Sequence, residues 1–138
     1  MAGLGSDEHG YVLDDRSLRD SPAKWAKAAV TAYHLYGADR IVAEVNNGGE
    51  MVEHTIKTVD QGMPYKALHA SRGKATRAEP VAALYEQGRV HHVGTFATLE
   101  DQLCQWTAGD KSPDRLDALV WALTELMLGY SPTGGIFI

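Results

Sequence analysis

Cysteine is almost absent from this sequence of 138 residues, which contains only Cys104. One cysteine excludes both an internal disulfide and a cysteine-based zinc site. Because disulfides belong to oxidising compartments, we expect a reducing cytoplasm. Long apolar runs are lacking too: the stretch 116–128 is interrupted by Asp, Thr and Glu, so it does not predict a membrane span. The first residues have neither the basic region nor the apolar run of a signal peptide.

Positive charge is also scarce, with 13 Lys and Arg against 18 Asp and Glu and a formal net charge of −5. Proteins that bind nucleic acid tightly by themselves usually carry a basic excess. The composition therefore argues against a free-standing nucleic-acid-binding protein. An acidic nuclease remains compatible with it if metal ions and a neighbouring domain supply the positive field.

The length suits one domain, which we divide into a strand and hairpin at 1–20, an α/β part at 21–128 and a tail at 129–138 without periodicity. Strands are predicted near Leu4 and at 11–18, 40–45, 65–70 and 90–93. Helices are predicted at 21–37, 51–59, 80–87, 98–106 and 112–128, several of them marked by Ser-Pro starts or a glycine stop. Because strands alternate with helices, the expected fold class is mixed α/β, with a hairpin leading into a parallel sheet.

Glu44 is the most informative candidate for chemistry. It lies near the C-terminal end of the apolar strand 41–45, which should be buried on both faces of a parallel sheet. Ligands of open α/β sheets gather outside these strand ends, and a buried carboxylate is costly unless it is paired or binds a metal. An ion pair with Arg40 or a nearby lysine explains the residue equally well.

Asp114 and Asp117 form the second candidate, on the last predicted helix. Asp114 falls in the first turn, where a carboxylate suits the helix dipole whatever its function. Asp117 lies one turn further in, beside the apolar stripe of the helix and on the same edge as Trp121. We therefore expect Asp117 to point into a cleft. Two carboxylates from distant segments are what a two-metal phosphodiesterase site needs, since Mg²⁺ and Mn²⁺ prefer oxygen ligands.

Arg72, Lys74 and Arg77 form a small basic cluster around Gly73. A solvated loop is the usual explanation, and contact with phosphates is the functional alternative, because glycine lets the backbone approach a ligand. The turn 46–49 could serve a flavodoxin-like small-ligand domain, although it lacks the glycine fingerprint and the P-loop lysine.

Several motifs occur in an order that resembles the C-terminal nuclease domain of phage terminase large subunits. They are YVLDDRS at 11–17, SP with a tryptophan at 21–25, IVAEVN at 41–46, ASRGK at 70–74, RAEPV at 77–81, GRV at 88–90, LEDQL at 99–103 and DALVWA at 117–122. Each motif is modest by itself, but their order over nearly the whole chain is specific.

The resemblance implies a ribonuclease H-like fold and metal-dependent cleavage of double-stranded DNA during genome packaging in a bacterial host cell. Three acidic residues hold Mg or Mn in that family. Glu44 matches the second and Asp117 the third, with Asp114 as a helper, and these would be the catalytic and metal-binding residues. Lys74, Arg72 and Arg77 would contact DNA. The terminase ATPase domain and other packaging proteins are the implied partners.

One departure from the family pattern concerns its first acid, which is carried by a central strand preceding the hairpin. The chain begins after that point, so we expect an N-terminally truncated sheet without this strand. Asp14 and Asp15 should be poor substitutes, on a strand that runs away from the site. An unpaired sheet edge would favour a homo-oligomer. The alternative function is a catalytically incomplete remnant that binds DNA or a partner protein.

Overall fold

A computed structural model describes residues 1–45, 49–70, 73–107, 109–111 and 113–129, and the backbone of 136–137. Its elements follow in chain order: β1 (Ala2–Leu4), β2 (Gly10–Val12), α1 (Pro22–Tyr36), β3 (Ile41–Glu44), α2 (Gly49–Val59), β4 (Tyr65–Leu68), α3 (Lys74–Glu86), β5 (Val90–His92), α4 (Ala97–Gln105), α5 (Asp114–Leu123), a π-helix (Thr124–Leu128) and β6 (Ile136–Phe137). Among these helices, none is both long and apolar enough to cross a membrane.

The strands form two sheets. β1 and β2 make the expected antiparallel hairpin, β2 pairs with β5 in parallel, and β6 pairs with β1 in antiparallel orientation, giving the order β5-β2-β1-β6. β3 and β4 form a separate parallel pair. The predicted mixed α/β class, with a hairpin and parallel strands, is confirmed. Its division into two sheets was not predicted.

Local signals account well for α1. Pro22 stands at its start, where the missing N–H costs nothing. Gly37 ends it in the left-handed region, with φ of 58°, and its N–H points back to the carbonyl groups of the last turn. Ser21 has the extended backbone of a cap residue, but its side chain makes no capping hydrogen bond. The proline and glycine therefore define this helix.

Two predicted boundaries were wrong. β2 ends at Val12 instead of continuing to 18, because Asp14 and Asp15 form local hydrogen bonds with Arg16 and Ser17 that compete with strand pairing. α3 begins at Lys74, not near Pro80, which lies inside the helix. Proline in a helix removes one backbone hydrogen bond, but Ala78 before it and Val81 and Leu84 after it pack into the same apolar cluster.

The absence of periodicity in the tail predicted no regular structure there, but residues 136–137 pair with Gly3 and Ala2 of β1. The truncated sheet was expected to have an unpaired edge, but β6 covers part of the edge of β1. Residues 130–135 lie outside the described residues.

The apolar interior is divided into two clusters. The larger joins β1, β2 and β5 to α3, α4, α5 and the π-helix, with Leu123 fully buried at 0% exposure. The smaller lies among α1, β3 and α2; its buried members are Ala26, Val30, Ile41, Ile56 and Met63. Glu44 stands at the end of a strand of the smaller cluster, whereas Asp117 lies on a helix of the larger one.

Candidate active site

A cavity of about 560 Å³ lies where the two clusters meet. Its walls come from β3, α1, α5 and the segment after β2, and its polar side chains include Glu44, Asp117, Lys74, Asp14 and Asp15. The structure thus brings together two acidic residues chosen from the sequence, from segments far apart in the chain.

Glu44 is held by two partners at the end of β3. Its carboxylate is 24% exposed. Oε2 accepts a hydrogen bond of 2.9 Å from the indole Nε1 of Trp121, and Oε1 lies 3.6 Å from Nη1 of Arg77. The guanidinium carbon of Arg77 lies 4.4 Å from the centre of the Trp121 ring, a cation–π contact. The ion pair considered from the sequence therefore exists, but with Arg77, whereas Arg40 pairs with Glu125.

Asp117 is more buried than Glu44, with 16% of its side chain exposed, and it forms an ion pair with Lys74. Asp114 differs: its side chain is 88% exposed, at 3.8 Å from the equally open Arg19. An exposed pair of this kind contributes little to stability. Asp117 thus points into the cavity, as its position beside the apolar stripe suggested, and Asp114 stands at the rim.

Arg77 has buried donors without acceptors. Only 10% of its side chain is exposed, and Nε and Nη1 are buried without a hydrogen-bond partner. Leaving a buried donor unsatisfied costs about 1–3 kcal/mol. Glu44 offers Arg77 a compensating charge at 3.6 Å, but no hydrogen bond of good geometry. Such an orphaned buried group requires an explanation, and a catalytic role or a bound ion is among those that apply to native proteins.

Asp14 and Asp15 line the same cavity, contrary to the expectation that their strand leads away from the site. Because β2 ends at Val12, the following segment turns towards α5. Burial favours the neutral form of both carboxyl groups, but hydrogen bonds outweigh it and lower the pKa of each. Asp14 is held by Arg16 and Tyr36, and Asp15 by Ser17 and, at 2.8 Å, by Arg115.

The basic cluster is partly a helical feature rather than a loop. Lys74 and Arg77 lie three residues apart in the first turn of α3 and therefore on one face. Both reach carboxylates of the cavity. Arg72 and most of the turn 46–49 lie outside the described residues.

The side chains of the cavity offer the oxygen atoms that a hard cation prefers, but too few of these side chains come together to bind one. Carboxylate oxygens are the ligands that Mg²⁺ and Mn²⁺ prefer. Within the part of the chain that the structure describes, no group of three or more His, Cys, Asp or Glu side chains could hold a metal ion. Glu44 and Asp117 are moreover each engaged by a cation. In this arrangement the described residues do not complete a metal centre.

Sequence reasoning missed two histidine contacts away from the cavity. His91 and His92 point to opposite faces of β5 and cannot act as a pair. The structure instead joins His91 Nε2 to His9 Nδ1 at 2.7 Å. His92 lies 2.8 Å from the Tyr85 hydroxyl and 3.0 Å from Glu100, and burial raises the pKa of Tyr85. No local sequence pattern predicts these contacts, because the partner residues lie on other elements.

A mixed α/β domain with carboxylates from a strand end and a late helix in one cavity has the features of a ribonuclease H-like nuclease module. The chain belongs to the terminase RNaseH-like domain family, whose model matches residues 5–126. This match confirms the family and the ribonuclease H-like fold that the motif order indicated, and it makes the chain a terminase nuclease-type module. No curated protein and no solved structure matches the chain.

Proposed function

We propose that the chain is the DNA endonuclease module of a viral or prophage packaging terminase, which cleaves double-stranded DNA with Mg²⁺ or Mn²⁺. The observation that carries this proposal is the meeting of Glu44 and Asp117 in one cavity, next to two cations of α3. Acidic side chains select divalent cations and basic side chains select phosphates, and a phosphodiesterase needs both.

Each residue has a distinct part in this proposal. Glu44 and Asp117 supply the oxygen ligands, and Asp114 at the rim assists them. A divalent cation held by these oxygen ligands would supply the activation of water and the stabilisation of the leaving oxygen. Lys74 and Arg77 contact the phosphate backbone, as does Arg72. Further oxygen ligands must join the two acids, and Asp14 and Asp15 line the same cavity.

A second candidate function is a module that binds DNA or a packaging partner without cutting it. The observation that favours it is the small number of ligands: the described residues hold no group of three that could bind a metal ion. The same basic residues would then bind phosphates, while the two acids would only balance their charge.

Incubation with supercoiled plasmid and Mn²⁺ separates the two functions. The module should nick or linearise the plasmid, and the double variant Glu44→Ala/Asp117→Ala should not. Asp101→Ala, which removes an exposed acid of α4, is the matched control and should cut normally. A folded wild-type chain that retards the plasmid in a gel but never cuts it would support the binding module instead.

The proposal extends to the partners of the module. We expect it to work with the terminase ATPase domain and other packaging proteins in the cytoplasm of a bacterial host. A homo-oligomer remains a prediction, for which the outer edges of the end strands are the candidate surfaces: among the described strands, β3 and β4 pair only with each other. Light scattering tests this directly, and a monodisperse monomer would contradict it.

A further inference from the structure

A second cavity, of about 490 Å³, adjoins the first cavity, which holds Glu44 and Asp117. Its described walls come from the segment after β2, from Gln102 of α4 and from the start of α5. Four residues line both cavities: Ser17, Leu18, Asp114 and Arg115. The two cavities are therefore neighbours that share a wall.

The second cavity differs from the first in the sign of its charge. Arg19, Lys111 and Arg115 line it, and Asp114 is the single acid among its described residues. In the first cavity acidic side chains outnumber basic ones, and the whole chain has a formal net charge of −5. The second cavity is thus a local concentration of positive charge, which attracts an anion.

Two of these cations are available to a ligand. The side chain of Arg19 is 96% exposed and lies 3.8 Å from Asp114, which is 88% exposed. An exposed ion pair of this kind contributes little to stability, so an anion can replace Asp114 at small cost. Lys111 is also exposed, and its side chain forms no ion pair or hydrogen bond with the described residues.

The third cation, Arg115, is fixed in the shared wall. Its side chain is 31% exposed, and Nε donates a hydrogen bond of 2.8 Å to Asp15. The terminal nitrogen atoms of the guanidinium group carry its remaining donors. α5 also begins in this wall, and the residue before it makes no side-chain capping hydrogen bond. The positive end of the helix dipole adds to the attraction for an anion.

We propose that the second cavity binds a phosphate group of the DNA backbone and holds the duplex beside the first cavity. Guanidinium groups bind phosphate oxygens through parallel hydrogen bonds, and an ammonium group acts as a compact charge on the same ligand. Binding here needs no divalent cation, because side chains supply the attraction. The proposal rests on the proposed function and adds to it the place where the backbone is held.

Contacts with phosphates position a duplex but do not read its sequence. Binding at the second cavity should therefore be equally strong for unrelated sequences and should weaken as salt is added. The association constant falls with the salt concentration to a power of about 0.9 for each phosphate contact. Loss of one contact should lower this slope by about 0.9 and, at about 0.1 M salt, weaken binding by roughly 8-fold.

Fluorescence anisotropy of the full chain with labelled duplexes of two unrelated sequences, in EDTA and at several salt concentrations, tests the site. Arg19→Ala and Lys111→Ala should each weaken binding and lower the salt slope by these amounts, whereas Asp114→Asn should tighten binding. Lys57→Ala and Glu50→Gln are the matched controls, because they remove the same charges from α2, which lines neither cavity. Both controls should bind like the wild type.

The outcomes separate this site from the nuclease function. Wild-type affinity of both Arg19→Ala and Lys111→Ala, or equal weakening by Lys57→Ala, would overturn the site whether or not the chain cuts plasmid. Weaker binding by the first two variants alone, without plasmid cleavage by the wild type, would support the site and overturn the nuclease. Absence of duplex binding by the wild type would overturn the site, while the plasmid assay would still decide the nuclease.

Calorimetric titration with inorganic phosphate distinguishes DNA from a free phosphate ion as the ligand. Phosphate binding that is lost in Lys111→Ala, together with an unchanged affinity of this variant for DNA, would assign the cavity to free phosphate and overturn the proposal. Arg19 and Lys111 are exposed, so their variants should fold, and a circular dichroism spectrum like that of the wild type verifies this.

Discussion

Neutralising Glu44 should destabilise the protein, and the sign of this effect is informative. In a cluster of unbalanced acids, the change Glu44→Gln would relieve repulsion and raise the free energy of unfolding. Here the carboxylate faces Arg77, a cation with a side chain only 10% exposed. The glutamine keeps the shape of Glu44 and an acceptor for Trp121, so the substitution isolates the charge.

The magnitude follows from the geometry of this pair. Opposite unit charges 3.6 Å apart attract by roughly 4–5 kcal/mol at an effective dielectric constant of about 20. Breaking a fully buried pair costs about 3–5 kcal/mol, because the remaining charge is left uncompensated. Glu44 retains 24% exposure, so we expect a loss of about 2–3 kcal/mol. The corresponding fall in melting temperature is roughly 10 °C for a domain of this size.

Urea denaturation of a double-mutant cycle provides the assay. The double variant Glu44→Gln/Arg77→Met removes both charges and should be more stable than the sum of the single effects implies, by about 1.5 kcal/mol or more. Glu50→Gln, at an exposed position of α2, is the control and should stay within about 0.5 kcal/mol of the wild type. An increase in stability with Glu44→Gln would refute the assignment of Arg77 as its counter-charge.

Two further predictions concern the core and the response to acid. Leu123→Ala removes a side chain of 0% exposure and should lower the free energy of unfolding by about 3–4 kcal/mol. The control Leu35→Ala, at a position that is 65% exposed, should change this free energy little. Equal effects of the two variants in urea denaturation would contradict the packing of Leu123. Burial alone would raise the pKa of Asp15, but hydrogen bonds from Ser17 and Arg115 outweigh it and lower this pKa. The carboxylate therefore contributes its full stabilisation above the ordinary aspartate pKa of about 3.9. This contribution disappears as the pH falls through the lower pKa of the folded state. Asp15→Asn should therefore show a smaller loss of stability than the wild type over that acidic range, and an identical pH profile would argue against this contribution.

Local signals predicted the elements that depend on local chemistry. Pro22 and Gly37 mark the two ends of α1 because one lacks an N–H and the other tolerates the left-handed region. Glu44 and Asp117 stood out because an acid within or beside an apolar pattern requires a partner. The structure places both in one cavity.

Elements that depend on distant contacts were not predictable in this way. Proline usually marks a helix start, so Pro80 suggested a late beginning for α3. The helix instead begins at Lys74, and Ala78, in the turn before the proline, packs against the larger apolar cluster. The partners of the two acids are far away in the sequence. Lys74 lies 43 residues from Asp117, and Trp121 lies 77 residues from Glu44. No local period encodes such pairs. β6 escaped prediction for the same reason, since it pairs with the opposite end of the described chain.

The division of the interior into two clusters has a consequence for local opening. Regions with separate cores and separate hydrogen-bonded sheets tend to unfold as separate cooperative units, which native-state hydrogen exchange resolves. β3 and β4 share no strand pairing with the other sheet among the described residues, so their amides should exchange in a different unit from those of β1, β2 and β5. Glu44 lies on β3 of the first unit, and Asp117 lies on α5, which packs against the second. The separation of the two acids is therefore set by the fit between two cooperative units, and a change of packing far from the cavity can alter it.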